Sequence, residues 1–187
     1  MVEISFGVLD VNGLPRHSPD FSFDILQEMV TRELTAYTHL RAVWGDLVPR
    51  LEYFGHDLAM LWVTVTSYEG VSLSKLAKER GGLTRSVKSK ARNALIRLHG
   101  LGLIHGDVAL RNFLLKDHDD RVLLVDFEQS VLLTDREVLL AEQELMTLED
   151  ALESIETLPE EIASSPPPLK RTKVCCCTKH VPSILLS

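Results

Sequence analysis

The sequence predicts an α+β fold, and three observations carry that expectation. An amphipathic helix is followed by two short apolar strands, a polar linker precedes two more helices, and a strand–turn–strand unit then carries His, Asp, Asn and Asp at fixed spacing. The 187 residues, 45% of them hydrophobic, suit one soluble domain of ordinary size plus tails. A net charge of −7 does not indicate a nucleic-acid surface. The longest apolar run, around Leu58 to Val65, is too short for a membrane span and fits a buried strand. Glu3 and the lack of a basic region before an apolar stretch argue against a signal peptide.

In chain order, Val2 to Val11 alternates partly and reads as one or two strands, so residues 1–22 are expected to be an irregular segment or a small remnant of sheet. Phe23 to Leu40 places Ile25, Leu26, Met29, Val30, Leu34, Tyr37 and Leu40 on one side of a helical wheel. Val48 to Gly55 and Leu58 to Thr66 read as two strands around a Gly55-His56-Asp57 turn, and Ser67-Tyr68-Glu69-Gly70 as a linker. Val71 to Arg80 forms a short helix. Thr84 to Leu98 forms a longer one that buries Val87, Ala91, Leu95 and Leu98 and turns Arg85, Lys88, Lys90, Arg92 and Arg97 to solvent. Thr134-Asp135-Arg136-Glu137 has the pattern of a capping box opening a helix to about Glu156, with Val138, Leu139, Leu145, Leu148, Leu152 and Ile155 as its packing side. Between Glu137 and Glu161 there is no Lys or Arg, so its outer face is acidic. Leu158-Pro159 ends the helix, and Ser164 to Pro168 begins a disordered tail. The expected organisation is 1–22, a domain over 23–158, and a tail over 159–187.

The chemistry concentrates in His105-Gly106-Asp107-Val108-Ala109-Leu110-Arg111-Asn112 and Val125-Asp126-Phe127-Glu128. Asp107 can orient a hydroxyl and accept its proton. The Asn112 amide oxygen and the Asp126 carboxylate are hard oxygen donors of the kind Mg²⁺ takes beside nucleotide phosphates. Phe113-Leu114-Leu115 and Val122-Leu123-Leu124-Val125, joined by a polar turn over Asp117 to Asp120, form a hairpin that brings Asn112 and Asp126 to adjacent strand ends.

This segment resembles the catalytic and metal-binding loops of the protein-kinase-like superfamily, whose catalytic loop reads H-R-D or H-G-D with four residues before the Asn. The Gly106 form and Glu128 in a D-F-E are similar to aminoglycoside phosphotransferases, choline kinases and small atypical kinases, whereas Ala109-Leu110-Arg111-Asn112 looks more like the A-A-R-N of tyrosine kinases. The resemblance implies a truncated or degenerate kinase-like fold with an incomplete small-lobe sheet and a mainly helical lower lobe. It assigns Asp107 as catalytic base, Asn112 and Asp126 as Mg²⁺ ligands, Tyr68 and Glu69 as a hinge against adenine, and Glu33 as the helix acid that pairs with an ATP-holding lysine. His105 is implied to brace the loop by hydrogen bonding. ATP and Mg²⁺ are the implied cofactors, and a protein or small-molecule hydroxyl is the implied acceptor.

Two parts of that machinery are missing from the residues in hand. No lysine precedes Lys75, and Gly7 and Gly13 do not make a G-x-G-x-x-G. Phosphate holding loses a point charge and a backbone cradle together. The expectation is therefore kinase-like phosphoryl transfer at rates far below ordinary kinases, or, as the alternative, a catalytically inactive pseudokinase acting as a binding module. A Lys-bearing strand encoded upstream of Met1 would favour the former. Cys175-Cys176-Cys177 lacks zinc-site spacing, and with no scattered cysteines a reducing, cytoplasmic or nuclear setting is expected. Membrane association is expected only if that triplet, beside Lys170-Arg171-Thr172-Lys173, is acylated.

Overall fold

The polar linker at Ser67 to Gly70 divides a small antiparallel sheet from a mostly helical body, as the run of predicted elements implied. The computed structural model describes residues 2–6, 23–56, 62–116, 121–133 and 138–160. The Asp57 end of the first expected turn, the turn over Asp117 to Asp120, the capping box at Thr134 to Glu137 and the tail with its cysteine triplet lie outside the described residues.

The elements in chain order are β1 (Val2–Phe6), α1 (Phe23–His39), β2 (Leu51–His56), β3 (Trp62–Ser67), β4 (Val71–Ser72), α2 (Leu73–Arg80), β5 (Leu83–Thr84), α3 (Arg85–Gly100), β6 (Leu103–Ile104), β7 (Phe113–Leu115), β8 (Val122–Leu124), β9 (Val131–Leu132), α4 (Val138–Glu153) and β10 (Thr157–Leu158). The small sheet has the order β1-β3-β2, both pairings antiparallel, with Ser5 opposite Thr64. Below the linker, β4 pairs with β7 and β7 with β8. The β6–β9 pair is antiparallel, and the β5–β10 pair is parallel.

The helices start where their caps dictate. Ser72 Oγ accepts from Lys75 N at 3.4 Å and Thr84 Oγ1 from Val87 N at 3.3 Å, satisfying orphan donors at the start of α2 and α3. Gly81 ends α2 at φ 78°, a left-handed position that glycine adopts without a Cβ penalty. Along α3, Val87, Ala91, Ala94, Leu95 and Leu98 are buried at helical spacing, facing β8, α4 and β6. With Tyr37 of α1, Leu40 just after it, Leu73 and Leu76 of α2, Phe113, Leu124, Phe127 and Leu148 and Leu152 of α4, they form one core. Tyr37 meets Phe127 edge-on, ring centroids 5.6 Å apart, which ties α1 to the segment after β8.

Several sequence expectations need correction. The apolar stripe of α1 packs through Tyr37 and Leu40, but Ile25 and Leu34 are exposed at 42% and 37%. Only the C-terminal end of that helix reaches the core. On α4, Leu148 and Leu152 are buried while Leu139 is 68% exposed, and the helix stops at Glu153 so that Thr157 and Leu158 can pair with β5. Val71 and Ser72 are strand rather than helix, because their backbone pairs with Leu115 and Leu114.

Part of the basic face of α3 engages acids and carbonyls of other segments while its side chains stay partly exposed. Arg92 pairs through its Nε and Nη2 with Glu149, and Arg97 Nη2 bonds Asp46 at 2.6 Å. Lys88 Nζ donates to Leu152 O at 2.8 Å, Ile155 O at 2.6 Å and Thr157 Oγ1 at 2.9 Å. A cation on the last carbonyls of α4 is worth about 0.3–1 kcal/mol. The exposed Arg92 pair adds at most about 1 kcal/mol.

Candidate functional site

Gly106 must be glycine here. Its φ is 84°, and a Cβ would fall 2.0 Å from the carbonyl oxygen of Gln129. The chain thus passes directly beneath the Phe127–Ser130 turn after leaving β6. A 3₁₀ turn at Leu110–Asn112 then leads into β7. Asn112, almost fully buried, donates from Nδ2 to Asp107 O at 3.0 Å and to Asp107 Oδ2 at 3.1 Å, which leaves its amide oxygen for another partner. Val125 N donates to Asn112 O at 3.0 Å, so the residue before Asp126 is tied to the same loop. Asp126 itself has φ 70°, a left-handed conformation uncommon for a non-glycine residue and typical of functional positions.

His105 is fully buried and braces both halves. Its Nε2 lies 3.0 Å from Val125 O and its Nδ1 accepts from Asp107 N at 3.4 Å, which places the ring proton on Nε2. The ring packs 5.0 Å from that of Phe127. Burial pushes its pKa down against the opposing charges of Glu144, Asp126 and Asp107, so the ring acts as a neutral hydrogen-bonding strut.

A second anchor, which the sequence reading missed, is Glu144 of α4. Its carboxylate accepts from Gly106 N at 2.6 Å, from His105 N at 3.1 Å and lies 2.8 Å from His99 Nε2. Burial pushes its pKa up, but the hydrogen bonds from His99, Gly106 and His105 prevail and hold it below the ordinary range. The signal was present: Glu144, Leu148 and Leu152 are spaced i, i+4, i+8, which puts an acid in the buried stripe of α4.

Around this loop the charges are unbalanced. Asp126 is pushed up by burial and by Asp107, against the charges of His105 and Arg111. Glu128 is pushed up by burial, Asp126 and Asp107, with Arg111 opposing. Glu33 of α1 is pushed up by burial and by Asp126 and Glu128, partly offset by Thr64 Oγ1, which donates to it at 3.1 Å. The fold therefore gathers Glu33, Asp107, Asn112 and Asp126 around one place, with Glu128 beside them. The helix acid meets a threonine of β3, and β1 offers Val2-Glu3-Ile4-Ser5-Phe6 with no lysine.

The linker residues behave differently. Glu69 is pulled below its usual range: burial raises it, but Lys116, 2.9 Å away, and Ser67 Oγ, donating at 2.7 Å, prevail. Its carboxylate thus locks the linker to the end of β7. Gly70, at φ 129°, would drive a Cβ to 2.0 Å from Leu115 O, and Tyr68 beside it is 41% exposed.

The donor set suits a hard cation that keeps most of its own shell. Among the described residues no three His, Cys, Asp or Glu side chains converge as a metal cage. Mg²⁺ commonly binds through one or two protein oxygens plus phosphates and water, and the Asn112 amide oxygen and the Asp126 carboxylate are oxygens of the kind that could contribute to such a shell.

A curated relative, serine/threonine-protein kinase D of Synechocystis sp. (strain ATCC 27184 / PCC 6803 / Kazusa), is 26% identical over 107 residues, covering 57% of this chain and 21% of that protein. Among solved structures, WbdD co-crystallised with the kinase inhibitor LY294002 superposes with a TM-score of 0.58 at 17% identity, covering 87% of this chain and 35% of that one. The chain thus spans about a fifth of that relative and about a third of that structure, and the latter likeness concerns the fold. No described helix is long and apolar enough to cross a membrane. The profile of the RIO domain matches residues 16–151, well over half of the sequence, and the chain belongs to that atypical kinase-like family.

Proposed function

We propose that this RIO-type domain binds a Mg²⁺-nucleotide and transfers its terminal phosphoryl group, slowly, to a hydroxyl of a protein or small molecule. The observation that carries the reading is the braced loop itself. Asp107 is held by Asn112 and the His105 strut, and Arg111 and Asn112 both bond its Oδ2, which leaves Oδ1 for an acceptor hydroxyl. In this reading Asp107 orients the acceptor hydroxyl and takes its proton as the new O–P bond forms and the bond to the departing nucleoside diphosphate breaks. Asn112 and Asp126 would hold Mg²⁺, which neutralises phosphate charge when bound. Tyr68 and Glu69 lie on the linker, where backbone groups could meet a nucleobase, and Glu33 closes the site from α1.

A second reading is favoured by one specific observation. Glu33 has Thr64 where a working kinase has a lysine, so a binding module with little or no turnover is the alternative. Thermal unfolding with and without ATP, in the presence and absence of Mg²⁺, tests the shared premise. Nucleotide at about one hundred times its Kd stabilises by about 2.7 kcal/mol. The reading fails if no Mg²⁺-dependent shift appears. Single-turnover transfer to a generic protein acceptor or to water then separates the enzyme from the binding module. A rate of about 1 s⁻¹ or more, within the ordinary kinase range, would contradict the slow transfer proposed here.

A further inference from the structure

The helix that anchors the His105–Asn112 loop through Glu144 turns another side outward. Glu144, Leu148 and Leu152 form the inner stripe of α4. Leu139 and Met146, two turns apart on the opposite side, are 68% and 67% exposed. Ile96 of α3, one turn beyond Arg92 on the side that meets α4, is exposed as well. Glu142, Asp150 and Glu153 stand exposed around these apolar residues, and α4 carries no Lys or Arg. A helix face that is apolar along its middle and acidic at its edges fits a segment in which apolar side chains stand among cations.

The chain supplies such a segment. After Glu161 there is no acidic residue, while Lys170, Arg171, Lys173 and Lys179 stand among Leu169, Val174 and Val181. The place where the chain leaves the body suits it. α3 and α4 run antiparallel, since Lys88 reaches Leu152 O and Ile155 O, Arg92 reaches Glu149, and His99 reaches Glu144. Glu160 accepts from Ser86 N at 2.9 Å at the start of α3, so the residues beyond it depart beside the C-terminal end of α4. From Glu153 back to Leu139 is about 21 Å of helix, and the extended chain from Glu160 to Leu169 spans about 30 Å. Leu169 and the cations after it can therefore reach this face. A second copy of α4 is a poor occupant, because two faces that carry acids and no cation repel each other.

We infer that the outer face of α4 is a docking surface for the chain's own basic segment, Leu169–Val181. Lys170, Arg171 and Lys173 lie against Glu142, Asp150 and Glu153, and Leu169 and Val174 cover Leu139 and Met146. An exposed ion pair contributes little by itself, so the contact needs several pairs, the apolar cover and the tether together. The tether makes the encounter intramolecular, at an effective concentration on the order of mM. This surface is separate from the His105–Asn112 loop and does not depend on nucleotide binding.

All three cysteines, Cys175, Cys176 and Cys177, lie in this segment, so a thiol-reactive nitroxide can be placed on it without touching the body. The test is paramagnetic broadening of the amide resonances of the isotope-labelled full chain, with the nitroxide on Cys175 and the substitutions Cys176→Ser and Cys177→Ser. The amides of Glu142 to Glu153 should lose most of their intensity in dilute salt. They should regain most of it at about 1 M salt, where the screening length is about 3 Å instead of about 30 Å at 0.01 M. Lys170→Glu, Arg171→Glu and Lys173→Glu together should abolish the broadening. Adding Glu142→Lys, Asp150→Lys and Glu153→Lys to that chain should restore it. Amides of α4 that ignore the nitroxide, or that broaden equally in the chain with the reversed tail, overturn the inference. Broadening of an isotope-labelled chain by a separate nitroxide-carrying chain places the contact between copies and overturns it too. The substituted residues of α4 are exposed, so the doubly reversed chain should fold; if it does not, the tail reversal decides the matter alone.

Discussion

Replacing Glu144 by glutamine isolates the anchor under the His105–Asn112 loop. The carboxylate accepts two backbone N–H bonds and contacts a histidine ring, with only 11% of its side chain exposed and 10% of the side chain of His99. A hydrogen bond to an ionised acceptor is worth about 1.5–3 kcal/mol. The three share one group and are not additive. Glutamine keeps one acceptor oxygen and turns an NH₂ toward a remaining donor, so the expected loss is about 3 kcal/mol, the low end of the range for breaking a buried pair. For a domain of this size that is roughly a 10 °C fall in Tm. Urea unfolding followed by far-UV circular dichroism measures it. The pH dependence supplies an independent check. The folded carboxyl of Glu144 lies below its ordinary value of 4.5, so its contribution is complete above that pH and is lost as pH falls through the folded value. The gap between parent and variant should therefore be full at neutral pH and narrow on acidification. A loss below about 1 kcal/mol at neutral pH, or a gap indifferent to acid, would show that Glu144 does not anchor the loop.

Gly106→Ala should destabilise by about 2–4 kcal/mol, since its Cβ would strike Gln129 O and its φ of 84° is left-handed; urea midpoints near those of the parent would contradict this. Asp126→Asn should weaken Mg²⁺-ATP binding by removing a charged donor, whereas Asp107→Asn should abolish most transfer and leave Mg²⁺-ADP binding intact; calorimetric titrations and single-turnover rates report both. Glu33 is held above 4.5, so the parent's stability should decline as pH rises through the folded value, and Glu33→Gln should flatten that decline; identical slopes from about pH 5 to 8 would refute the charge crowding around Glu33.

What the sequence disclosed divides by the range of the interactions involved. The α3 core positions Val87, Ala91, Leu95 and Leu98 and the β7–β8 hairpin follow from periodicity and local turn chemistry, and the structure has them. The local geometry of the His105–Asn112 loop was legible because its spacing is fixed by one short turn and one hairpin. Contacts that depend on distant partners were not. Nothing near Arg92 in sequence announces Glu149, nothing near Lys88 announces the end of α4, and the parallel β5–β10 pair joins residues more than seventy positions apart. The exposed half of α1 is the same failure in reverse. Its apolar stripe satisfies helical periodicity, yet Ile25 and Leu34 stay exposed while Tyr37 is buried, because periodicity gives a helix's apolar side but not how much of its length meets a partner.

The order in which such a site can lose its parts follows from what holds each of them. The braces of the Asp107–Asn112 loop run to Val125, to Glu144 and to Asn112 itself, all below the linker. None depends on β1 or on the partner of Glu33. The loop can therefore keep a catalytic shape whether or not a lysine stands above it, and the presence of the motif alone does not decide activity. Charge does. Glu33 is crowded by Asp126 and Glu128, and Asp126 by Asp107, so in the nucleotide-binding reading proposed above a bare nucleotide would be repelled and one whose phosphates are already neutralised would be accepted. Binding of ATP should consequently depend on Mg²⁺ far more steeply than in a site that retains its lysine. Restoring a cation on the strand, as in Ser5→Lys opposite Thr64, should relax that dependence while drawing the Glu33 pKa back down.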